Sequence, residues 1–102
     1  MKIDKKLIRD KIPEIIKADG RKPVTRILDD KEYLSELIEK LKEETEELEA
    51  DLTMEELADI QEVLFAILDV FKSSREELEK VRAQKTKERG AFKKRIFLER
   101  VE

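Results

Sequence analysis

Residues 41–60 read LKEETEELEADLTMEELADI, and nine of these twenty are Glu or Asp. Like charges at i,i+4 spacing cost a helix roughly 0.2–0.5 kcal/mol per pair. The run is nonetheless patterned as two helical pieces. Leu41 and Leu48 keep a helical apolar period before the break, and Leu57 and Ile60 keep it afterwards. Between them stands Thr53, with Glu56 three residues on, in the form of a capping box that starts a new helix. A short connection makes two such helices antiparallel neighbours. The stretch therefore predicts a helical hairpin with acids along its facing sides.

The same punctuation recurs outward from this hairpin. Asp29 or Asp30 caps a helix predicted over residues 31–50, with Glu32 three residues after Asp29 as in a capping box and Leu34, Leu37, Ile38, Leu41 and Leu48 as the apolar stripe. Its partner is predicted over residues 54–71, with a stripe of Leu57, Ile60, Leu64, Ile67, Leu68 and Phe71, which places Phe71 in the core. Ser73 or Ser74 starts a last helix, with Ser74 and Glu77 at capping-box spacing, that ends near Arg89 with Gly90 as its stop. Upstream, Pro13 suits the first turn of a short helix over residues 12–18, with Gly20 just past its end. Residues 24–28 have strand composition, and the tail KRIFLERV, residues 94–101, is expected to pair with them in a small two-stranded ribbon packed on the helices. The expected fold is mainly α: an antiparallel helical bundle forming one domain over residues 1–102.

Composition narrows the chemistry. Of 102 residues, 39% are hydrophobic and 48% charged, yet the net charge is only −3, so disorder by self-repulsion is not favoured. Cys and His are both absent, which excludes disulfides, zinc–thiolate or zinc–imidazole sites and His-based acid–base catalysis. Any metal is held by oxygen, which points to Mg²⁺, with Mn²⁺ as the alternative. Asn is absent while Lys and Glu abound, a bias that resembles thermophile proteins. Neither a signal peptide nor a long apolar run is seen, so a cytoplasmic location and no membrane partner are expected. The acidic balance does not favour nucleic acid.

At about 100° per residue, Glu44 falls about 60° from the centre of its helix's apolar stripe and Glu47 about 120°, on the same side. Glu56 and Asp59 repeat those angles on the next helix. Glu44, Glu47, Glu56 and Asp59 can then converge in one groove, where mutual repulsion calls for a cation. A solvated acidic face is the competing interpretation of the same spacing. On the last helix Arg82, Lys85 and Arg89 continue the face that Leu78 and Val81 begin. That row is either a phosphate-binding rail or a helix end leaving the core, where the helix dipole favours cations. Lys6, Arg9 and Lys11 form a further basic cluster, either solvated or anion-binding.

The EETEE of residues 43–47 followed by the ELAD of residues 56–59 resembles the metal-binding signature of the all-α nucleoside triphosphate pyrophosphohydrolases, a superfamily that includes MazG-like proteins, dimeric dUTPases and phosphoribosyl-ATP pyrophosphohydrolase. KLIRDKIPEIIKADGRKP at residues 6–23 and KERGAFKKRIFLE at residues 87–99 look like a small MazG-like subgroup of house-cleaning phosphohydrolases. The resemblance implies Mg²⁺ held by Glu44, Glu47, Glu56 and Asp59. It also implies triphosphate contacts by Arg9, Lys11, Lys85 and Arg89, and a homo-oligomer of two or four subunits. The expected reaction is cleavage of a nucleoside triphosphate between the α and β phosphates to a monophosphate and pyrophosphate, with Glu47 as the general base. Two other classes stay open: a non-catalytic helical module that binds a nucleotide or a protein, and a plain helical assembly protein.

Overall fold

The computed structural model describes residues 5–102, and these form four helices and no strand. They are α1 (Ile12–Ala18), α2 (Asp30–Ala50), α3 (Met54–Val70) and α4 (Arg75–Arg89). Each long helix starts at a cap its sequence offers, and of the adjacent candidates the structure uses Asp29 and Ser74. The Asp29 side chain accepts from the Glu32 backbone N–H at 2.8 Å, Thr53 from Glu56 at 3.2 Å, and Ser74 from Glu77 at 3.1 Å. Each bond satisfies a donor that the first turn would otherwise leave orphaned. Gly90 closes α4 at φ +84°, a left-handed backbone that a side chain would strain.

One packing unit dominates. Residues 51–53 are the whole connection between α2 and α3, and these two helices pack together as an antiparallel hairpin. Leu37 of α2, only 2% exposed, and Val63 of α3 are the buried apolar residues. Among the described residues no other pair of helices packs as extensively. The molecule is accordingly open, measuring 60 × 32 × 25 Å with a radius of gyration of 17.9 Å. A compact chain of this length would measure about 13 Å.

Three details depart from the sequence reading. The ribbon does not form: residues 24–28 and 94–101 are irregular and unpaired with each other, and Ile27 and Phe92 are each 96% exposed. An isolated two-stranded ribbon is marginal without a face to pack on. Because α4 is not packed along the hairpin, it does not deliver the tail to residues 24–28. Phe71, expected in the core, caps the end of α3 and is 70% exposed. Finally, the buried line of α3 runs through Val63, and Leu57 and Leu64 of the expected stripe are exposed. The apolar surface of α3 is wider than its contact with α2, so a second strip of it remains open, with Ile38 of α2 exposed as well.

Candidate metal centre

The packed line of the hairpin carries acid. Glu44 lies about two helical turns from Leu37 on the buried side of α2 and is only 7% exposed. Opposite it, α3 offers Glu56 and Asp59, one turn apart and therefore on the same side. One carboxylate oxygen from each of Glu44, Glu56 and Asp59 lies within 4.8 Å of the others. Oε2 of Glu44 and Oε2 of Glu56 are buried and have no hydrogen-bond partner. Removing an ionised carboxylate from water costs several kcal/mol unless a cation or donors compensate.

The protein's own cations compensate only in part. Lys40 Nζ stands 3.7 Å from Glu44 Oε1, beyond hydrogen-bond reach. Arg9 Nη2 donates to Asp59 Oδ1 at 2.6 Å, across 50 residues of sequence. Burial pushes the Glu44 carboxyl above the ordinary carboxylate range; Glu47's charge adds to this and Lys40 opposes it. Glu56 is raised by burial too, and then by the charges of Glu47, Asp59 and Glu44. Three acids, two of them with an orphaned oxygen and all of them acceptors, form a donor set that fits a hard, oxygen-seeking divalent cation.

The site residues named from sequence divide clearly. Glu44, Glu56 and Asp59 meet as the spacing predicts. Glu47 is exposed at the edge and outside that close group, yet near enough to act on both buried acids. Arg9 arrives at the cluster as an ion-pair partner of Asp59. Lys11 is exposed at the start of α1. On α4, Arg82 is held by Glu79 on its own helix, at 2.6 Å from Nη2 to Oε1, while Lys85 and Arg89 are exposed. None of the three bonds to Glu44, Glu56 or Asp59, because α4 does not lie along the hairpin. The Arg9–Asp59 pairing had no signal in the sequence, since nothing local relates positions so far apart.

No family model matches this chain, and neither does any solved structure. A protein of Mycolicibacterium smegmatis, described only as uncharacterized, is 57% identical over 44 residues, which is 43% of this chain and 45% of that relative. The match thus spans less than half of either protein. No helix among the described residues is long and apolar enough to cross a membrane.

Proposed function

We propose that this protein is a Mg²⁺-dependent nucleoside triphosphate pyrophosphohydrolase that clears aberrant nucleotides. The observation that carries the proposal is the buried, unpartnered carboxylate of Glu44 meeting Glu56 and Asp59 across the hairpin. Mg²⁺ suits these three residues, with Mn²⁺ as a substitute. Bound there, the ion would neutralise phosphate charge and acidify water. Glu47, at the wet edge, accepts the proton of the attacking water. The oxygen of that water joins phosphorus across the α–β anhydride, the bridging bond breaks, and pyrophosphate leaves with the bond's electron pair. Arg9 carries a planar fork of donors able to turn from Asp59 to a phosphate oxygen. Lys11, and Arg82, Lys85 and Arg89 on the α4 of a second copy, supply further positive charge to the triphosphate.

A homo-oligomer belongs to the same proposal. The open strip of Leu57, Leu64 and Phe71 is apolar, and the chain is too extended to cover it alone. A second copy packed there would also give α4 and its cations an acidic hairpin to face.

The test is release of pyrophosphate from a panel of standard and damaged nucleoside triphosphates, with Mg²⁺ and with EDTA, orthophosphate being followed in parallel. Metal-dependent pyrophosphate without orthophosphate supports the proposal. A folded protein that binds nucleotide stoichiometrically without turnover is instead a binding module.

A further inference from the structure

A cavity of about 250 Å³ opens beside the acidic cluster and is not used by it. Its walls include Asp10, Tyr33, Glu62, Phe65, Asp69 and Arg75. Two observations tie it to the cluster. Arg9 bonds Asp59, and the next residue, Asp10, lines the cavity. Along α3, Asp59, Glu62 and Asp69 follow at helical spacings that keep them on one side. At 1.5 Å per residue, Glu62 lies about 4.5 Å along the axis from Asp59 and Asp69 about 15 Å, so the cavity starts within a turn of the cluster and extends nearly three turns from it.

The chemistry of its walls selects a ligand. Tyr33 and Phe65 are flat, and the Arg75 guanidinium lies over the Phe65 ring at 3.8 Å from its centroid. A planar ring stacks on aromatic or guanidinium planes of this kind. Three carboxylates against one guanidinium repel phosphate, so the cavity does not take the triphosphate itself. Carboxylates only accept hydrogen bonds, so the ring they favour is one that donates.

We propose that this cavity is the base subsite of the hydrolase and that it selects nucleotides whose base carries an exocyclic amino group. The proposal rests on the metal-site reading, with the phosphates at Glu44, Glu56 and Asp59 and the base one step along α3. A base with a carbonyl in the amino position turns a lone pair toward carboxylate and is rejected.

Cytosine and uracil differ at that position, so the test uses the α,β-methylene analogues of CTP and UTP, with inorganic tripolyphosphate as the baseless control, each titrated with Mn²⁺ present. The CTP analogue should bind at least tenfold more tightly than the UTP analogue. Among Asp10→Asn, Glu62→Gln and Asp69→Asn, at least one should shrink that preference to below threefold while tripolyphosphate binding stays unchanged. Tyr33→Ala should weaken both nucleotides and spare tripolyphosphate. Equal binding of the two analogues, or a preference that survives all three carboxylate variants, overturns the proposal. Failure of the metal reading shows separately, as no Mn²⁺ binding to the protein alone. In that event cytidine against uridine, without phosphates, still decides the cavity.

Discussion

The α2–α3 hairpin and the α4 helix are both dense in charge, and they treat it in opposite ways. On α4, charge is satisfied locally and stays wet: Arg82 holds Glu79 one turn away, and both side chains remain about 59% exposed. On the hairpin, Glu44 is buried with an oxygen left bare, and its nearest cation is too distant for a hydrogen bond. Exposed pairs contribute roughly 0–1 kcal/mol, whereas a buried carboxylate without compensation costs several. Charge density alone thus says little about a site. What marks a candidate here is acid that packing holds away from water and that the protein leaves only partly neutralised.

The largest way to break this contrast is to neutralise the buried acids. Glu44→Gln or Asp59→Asn should lower metal-dependent pyrophosphate release by more than about 100-fold, the upper range for losing even an outer-shell partner. Circular dichroism should report an intact fold, and in EDTA the Tm of Glu44→Gln should rise, because a buried charge is gone. Wild-type turnover in both variants would remove the site assignment.

A pH titration sharpens it next. Glu44 and Glu56 are raised above their ordinary value of 4.5 in the folded protein, so the native state holds their protons more tightly than the unfolded chain. Their contribution to stability therefore falls as pH rises through the folded values and is fully present below 4.5. Glu32 and Glu79, lowered by their arginines, act in the opposite sense. The difference between wild type and Glu44→Gln isolates the buried acid. In EDTA, denaturant melts of the wild type should gain stability relative to the variant as pH is lowered from neutrality toward 4.5.

Smaller effects separate the two regions by packing. Thr53→Ala should cost about 1 kcal/mol in a denaturant melt, because the cap it removes starts a helix that packs. Ser74→Ala removes an equivalent cap from α4 and should fray that helix, seen as faster amide exchange near residue 75, with little change in the global midpoint. The least effect is expected for Arg82→Gln, within about 0.5 kcal/mol, since its pair is exposed. A loss from Arg82→Gln comparable to that from Thr53→Ala would mean that α4 is packed in solution.

All four helices were legible in the sequence, with Thr53 as a single cap and the other two caps narrowed to adjacent pairs, Asp29 or Asp30 and Ser73 or Ser74, because capping and apolar period are local. Asp29, Thr53 and Ser74 each bond a backbone N–H three residues on. The convergence of Glu44 with Glu56 and Asp59 was legible as well, since a short connection and helical spacing suffice to bring them together. The apolar stripe of α3 held in part: Ile60, Ile67 and Leu68 are half-buried, but Leu57, Leu64 and Phe71 are exposed. The last three belong to an open strip, and the buried line runs through Val63, with Glu44 buried on α2.

By itself, then, the sequence determined the elements, their limits, and which acids share a helix side, all consequences of bonds within a few residues. Tertiary structure decided the remainder. It chose which of two apolar strips on α3 is buried, kept residues 24–28 apart from the tail, and brought Arg9 to Asp59. It also opened a cavity between Asp10 and Arg75. These outcomes depend on contacts between residues distant in the chain, where the gain from packing must exceed the entropy of bringing them together, and no local pattern records that balance.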